Sequence, residues 1–255
     1  MRRGKTIAAA LTVCAVGAGM TVNAYAASTT FEMRKKAVSL LGILSTSNYQ
    51  ANVSRGEFAE LLMKASDYRE SANAAGTVSV FADVSAKSQY STAIRTAATN
   101  SWMSGYLGGN FKPDEGITMR DAVKAVLGVL GYTNEDFSGS LQESRLAKFK
   151  ALSLDSEIYR DQDEVLTRED CINLFYNLMK AKTKDGNQYG SRVFDLTYNS
   201  DGEINTSSIL DNSLKGPKIL NNDSRNLKSL VPFSLKDAMM FLNGEVSDER
   251  EINDY

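Results

Sequence analysis

Two arginines, Arg55 and Arg168, each directly follow a hydroxyl, Ser54 and Thr167, that reads as the start of a helix. A guanidinium is a planar fork of N–H donors suited to an anionic group. No helix cap requires arginine there, so its recurrence in two places favours a ligand contact over a solvated face. Catalytic chemistry finds little else to use. The 255 residues contain no histidine and two cysteines, which removes Ser-His-Asp triads, His-ligated zinc and CxxC chemistry. No nucleotide loop, nucleophile elbow or isolated carboxylate pair is present, so no catalytic residue, metal site or cofactor is implied. A net charge of -2 offers no basic field for nucleic acid.

The arginines sit in segments that repeat. VSRGEFAELLMKA from Val53, ITMRDAVKAVLGV from Ile117 and LTREDCINLFYNL from Leu166 align without gaps. Each opens with an aliphatic residue, then Ser54, Thr118 or Thr167, and three positions later Glu57, Asp121 or Asp170. That pattern is a capping box, in which the hydroxyl accepts from the N3 amide and the acid reaches back to the cap. Apolar residues then recur with helical period, and Cys171 takes the place of Phe58 and Ala122, which makes it a core residue rather than a nucleophile. A further helix precedes each capped one: Lys35 to Leu44, the stretch around Tyr90, Ala93, Ile94 and Ala97, and Ser144 to Leu152. Between the middle pair, GYLGGNFKPDEG from Gly105 has the composition of a tight turn.

The stretch from Phe81 to Tyr132 resembles a bacterial S-layer homology repeat. It carries F-x-D-V at Phe81, an Ala-Ile helix, a Gly-Tyr-x-x-Gly-x-Phe-x-Pro loop and an Ile-Thr helix start. The segments on either side resemble the family through their capped helices. The resemblance implies a mainly α fold, with three helix-loop-helix repeats forming a pseudo-threefold helical module and a small α+β tail after it. It also implies grooves between repeats that bind secondary cell-wall polysaccharide, often pyruvylated.

Arg55 and Arg168 occupy the arginine place of the family's Thr-Arg-Ala-Glu motif, where a sugar carboxylate would meet a guanidinium and free helix N-terminal amides. In the second unit Met119 takes that place and Arg120 lies about 100 degrees further round the helix. Gly105 and Tyr106 belong to the matching loop, in which Gly108 replaces the family's aspartate; Ser88 and Gln89 replace its His-Trp pair. Trp102 has two readings, an aromatic face for a sugar or a hydrophobic plug. Asp83 likewise reads as a ligand contact or a local backbone acceptor.

Arg2, Arg3 and Lys5, an apolar run from Thr6 to Val22 and Ala24-Tyr25-Ala26 read as a secretory signal peptide over residues 1–26. Cleavage would take three of the 29 cations, none of the 31 acids and Cys14, leaving a net charge of -5 and one thiol. The expected units are then residues 27–75, 76–133 and 134–186, with an appendage over 187–255. In that appendage RVFDLTY from Arg192 has strand-like alternation, NSDGEIN reads as a turn, Gly216-Pro217 as a break and Ser234 to Leu242 as a short helix. DSEIYRDQDE from Asp155 reads as a solvated acidic loop.

The expectation is a secreted, non-catalytic protein anchored to the wall or S-layer without a transmembrane segment. Its partners would be wall polysaccharide and, through the tail, envelope or S-layer proteins. The alternative is a degenerate scaffold in which the repeats only assemble proteins at the envelope.

Overall fold

In the computed structural model, which describes residues 31–69, 80–206, 209, 240–242 and 245–247, each hydroxyl-led segment starts a helix. The helices of the first unit, residues 1–209, are α1 (31–40), α2 (Arg55–Lys64), α3 (Ser91–Thr99), α4 (Met119–Val129), α5 (Leu141–Ala151), α6 (Arg168–Lys180) and α7 (Tyr189–Phe194). The chain is thus mainly helical among the described residues. No described helix is long and apolar enough to cross a membrane. The segment over residues 1–26 lies outside the described residues.

The caps form where the sequence places them. Ser54 accepts from the Glu57 amide, Thr118 from that of Asp121 and Thr167 from that of Asp170. Of the three acids only Asp170 completes the box, accepting from the Thr167 amide at 2.8 Å. The carboxylates of Glu57 and Asp121 do not complete the expected box; they meet Arg168 and Arg55 from other segments. The helices before the capped ones end alike: Gly42, Ser101 and Ser153 all adopt positive φ, which turns the chain sharply into the next loop.

The entrances of α2, α4 and α6 are joined in a closed ring. The Val53 N–H donates to Leu166 O at 2.9 Å, the Leu166 N–H to Ile117 O at 3.0 Å, and the Ile117 N–H to Val53 O at 2.9 Å. All three side chains are fully buried. Isolated antiparallel bridges flank the ring at Asn52 with Thr167, Ser54 with Gly116 and Thr118 with Val165. The same buried core includes Phe58, Phe111, Phe149, Phe175 and Ile94, with the Phe58 and Phe175 rings 5.8 Å apart. Cys171 is completely buried here, and desolvation pushes its thiol well above the usual range, as a packing residue requires.

Residues 187–209 belong to this same unit. Tyr189 and Val193 lie one helical turn apart and are both buried, and the Tyr189 hydroxyl donates to Ala65 O at 2.9 Å. The strand expected from Arg192 is therefore helix as far as Phe194, because burial at i and i+4 outweighs the local alternation. Asp195, at φ 53°, ends it. The expected turn is present: Asn199 Oδ1 accepts from the amides of Asp201 and Glu203, between the bridged residues Tyr198 and Ile204.

The second unit spans residues 210–255. Its described part is an antiparallel pair, β1 (Met240–Leu242) and β2 (Glu245–Ser247), with Phe241 opposite Val246. Residues 240–242 are strand where a helix from Ser234 was expected. The intervening sequence, Asn243-Gly244, is a strong two-residue hairpin signal that competes with that helix. The rest of that helix and the break at Gly216-Pro217 lie outside the described residues.

The tightest point of the ring is testable. A Cβ on Gly116 would meet Val165 Cγ1 at 2.6 Å. Gly116→Ala is expected to lower stability by about 1–3 kcal/mol through overpacking, read as a lower urea midpoint at unchanged slope. Val165→Ala in the same chain should return part of that loss.

Candidate functional site

The residues proposed from sequence divide into those spent inside the protein and those facing out. Arg55 is spent. Its Nε donates to Phe111 O at 2.9 Å, one terminal nitrogen to Asp121 at 2.5 Å and the other to Ser104 O at 2.8 Å, with 3% of the side chain exposed. The guanidinium carbon lies 4.7 Å from the ring centres of both Tyr106 and Phe111. Arg55 thus staples the start of α2 to the glycine-rich loop and to the first turn of α4.

Arg168 makes the corresponding bond to Glu57 at 2.8 Å but stays 30% exposed. Its nearby carboxylate raises the guanidinium pKa further. Met119, in the third such place, is buried. There Arg160 supplies the missing cation from the loop before α6 and meets Asp170 at 2.8 Å. Glu57, Asp121 and Asp170 therefore each have an arginine, and Arg160 could have been found as the only arginine within the acid-rich DSEIYRDQDE stretch. Arg120 points to the surface and pairs with Asp163 at 2.5 Å.

The helix N-terminal amides expected to meet an anion are also occupied. Those of Arg55, Met119 and Arg168 donate to Glu115 O, Glu164 O and Ala51 O, and those of Gly56, Arg120 and Glu169 to Pro113 O, Gln162 O and Tyr49 O. The third amide of each helix goes to its cap hydroxyl. Neighbouring segments take the donors because amides at a packed helix start must be paired. The helix starts thus hold the fold together rather than presenting an open anion site.

What faces out is the loop itself. Asp83 accepts from the Phe111 amide at 2.8 Å and the Lys112 amide at 2.6 Å, which makes it a backbone acceptor that fixes the loop. Burial pushes its pKa up, but those two amides and the Arg55 charge outweigh this and hold the carboxyl below its ordinary value. Gly105 is required by close approach, since a Cβ would lie 2.5 Å from the Phe81 ring and 2.8 Å from Asn110 O. Gly108 and Gly109 take φ of 96° and 80°, and the loop closes by Tyr106 N–H to Asn110 O at 2.7 Å.

The result is a presented Tyr106 ring, 42% exposed, beside a fully exposed Leu107. The Lys112 ammonium lies 4.8 Å from the Tyr106 ring centre and 2.7 Å from Glu115. Lys112, which the motif reading did not single out, is thus the accessible cation of this surface. Trp102 is instead a plug: it is 8% exposed, edge-on to Tyr68, with its indole over Gly128.

Residues 80–119 match the S-layer homology domain family. No curated protein matches the chain. The matched stretch begins just before Phe81, contains Asp83, Trp102, Gly105, Tyr106 and Lys112, and ends on the first residue of α4.

Two outcomes follow from these bonds. Arg55→Met leaves Asp121 and two carbonyls without their partner and is expected to cost about 2–4 kcal/mol, whereas Arg168→Met, at a partly exposed pair, should cost about 1 kcal/mol; paired urea titrations measure the contrast. Because the Asp83 pKa is lower folded than unfolded, its contribution is fully present above its ordinary value of 3.8 and is lost as the pH falls through the folded value. Asp83→Asn should therefore destabilise at pH 7 by about 1 kcal/mol and flatten the acid limb of a stability–pH curve.

Proposed function

On the premise that residues 80–119 form an S-layer homology domain, we propose that this chain is a secreted, non-catalytic protein that binds secondary cell-wall polysaccharide. S-layer homology domains generally mediate anchoring to the cell wall. The observation that carries the reading is the Tyr106 surface: an aromatic ring held at its inner side by Arg55 and flanked outside by Lys112. A ring of this kind stacks on the carbon face of a sugar, and the adjacent ammonium attracts an acidic substituent such as a pyruvyl carboxylate.

The three helix pairs are read as repeats over residues 27–75, 76–133 and 134–186, arranged about a pseudo-threefold axis. The closed ring through Val53, Ile117 and Leu166 supports that reading, as does the near-cyclic pairing of first-turn acids with arginines. In this proposal Arg55, Arg168 and Asp83 are positioning residues, and Tyr106 and Lys112 touch the polymer.

A second reading is favoured by one specific observation. The arginines and helix amides that would grip a carboxylate are consumed internally, as a scaffold requires whose repeats only assemble envelope proteins. The two readings separate on purified walls. The secreted chain is expected to co-sediment with walls and to lose binding when pyruvyl groups or the polymer are stripped. Tyr106→Ala should weaken that binding about tenfold without lowering the melting temperature. Equal sedimentation with bare peptidoglycan, or none with intact walls, would move the assignment to the scaffold.

A further inference from the structure

The loop between α5 and α6 sends Ile158 into the core and Tyr159 out: Ile158 is 7% exposed and Tyr159 85%. Arg160, next in the chain, is turned in to Asp170. Glu157 takes φ 62°, a left-handed conformation that a residue with a Cβ adopts at a cost and glycine adopts freely. With Leu166 aligned on Ile117, the same offset sets Glu157 against Gly108, whose φ is 96°. Backbone strain is thus accepted here, in the turn that leaves the Tyr159 ring in solvent.

The same loop borders a small cavity. Gln162 joins Val123 of α4 and Leu141, Arg145 and Leu146 of α5 around a volume of about 210 Å³. Small-molecule sites are typically about 300–1,000 Å³, so this one suits a single side chain. Its walls are largely apolar, and Leu141, the first residue of α5, is exposed. Arg120 also lines the cavity and is paired with Asp163.

Charge makes the loop of one copy fit the cavity of another. Glu157 and Asp161, on either side of Tyr159, are exposed and meet no cation among the described residues; Glu157 accepts only from the Tyr159 hydroxyl, at 3.5 Å. Arg145 meets no carboxylate among them and donates to Asn134 Oδ1. These charges stay unspent in one chain, although Glu57, Asp121, Asp163 and Asp170 all find arginines. A ring flanked by carboxylates and an apolar cavity flanked by a guanidinium are complementary in size and in sign, and tyrosine and arginine are the side chains that dominate protein interfaces. Tyr159 and the cavity wall Gln162 belong to one loop, so two copies can exchange rings reciprocally about a twofold axis.

We propose that this face is a contact between two copies of the chain. The Tyr159 ring of each copy enters the partner's cavity between α4 and α5, and Glu157 and Asp161 meet the partner's Arg145. Such a contact uses the same patch on both copies and closes on itself, so association stops at a dimer. The proposal does not rest on the wall-binding reading.

Sedimentation velocity of the intact secreted chain over a concentration series is expected to show monomer and dimer with no larger species, the dimer weakening about tenfold from low to high salt. Tyr159→Ser and Leu141→Glu, both at exposed positions, should each weaken the dimer about tenfold at an unchanged melting temperature. Mixed together, the two variants should associate more tightly than either does alone, because the mixed pair regains one intact ring and one intact cavity. Arg145→Glu should also weaken the dimer, and Asp161→Lys in the same chain should restore it in part. A chain that stays monomeric up to about 1 mM, open-ended growth, or a dimer indifferent to these changes overturns the proposal. So does a monomer in which wall polymer shifts the Leu141 and Gln162 amides, since the cavity then belongs to a saccharide. Co-sedimentation of the monomeric variants with walls reports the wall-binding reading separately.

Discussion

The hydrogen bonds passed from Val53 to Leu166, from Leu166 to Ile117 and from Ile117 back to Val53 join three segments that are far apart in the chain. Each of these residues directly precedes a cap hydroxyl, so the ring decides where α2, α4 and α6 begin relative to one another. Its members are buried, and a buried amide without a partner is costly, so no one segment can leave without orphaning the other two. The next two amides of each helix extend the same logic, since they too are satisfied by a neighbouring segment rather than by water.

Charge follows the path the backbone lays down. Because each helix start lies against another segment, a first-turn acid on one helix comes within reach of an arginine from elsewhere, and Glu57–Arg168, Asp121–Arg55 and Asp170–Arg160 result. The three are not equivalent. Arg55 is almost fully enclosed and satisfied on every side, Arg168 is partly in solvent, and Arg160 replaces a cation that Met119 cannot supply. Arg55 also faces the rings of Tyr106 and Phe111, so a residue that holds the fold together is the one that orients the exposed loop.

The outer chemistry depends on this inner order. Asp83 grips the far end of the loop through the Phe111 and Lys112 amides, Gly105 lets it approach Phe81, and Tyr106 is left displayed with Lys112 beside it. Most charged residues near the helix starts thus serve the fold, and the groups left at this outer surface are few.

Local physics was legible in the sequence. Hydroxyl caps, helical periodicity, the tight loop and the core role of Cys171 each depend on residues within a few positions, and each is found where the pattern placed it. Where the alternation after Arg192 pointed to a strand, burial of Tyr189 and Val193 against the first unit made helix instead, because β pattern is weak beside long-range packing. The fate of the arginines was not legible at all. Arg55 lies 56 residues from Phe111 and 66 from Asp121, and nothing local states that these would meet. Sequence determined which groups could bind an anion; only the tertiary structure decided which of them were already bound to the protein itself, because a hydrogen-bond donor is spent by whatever acceptor the fold brings to it.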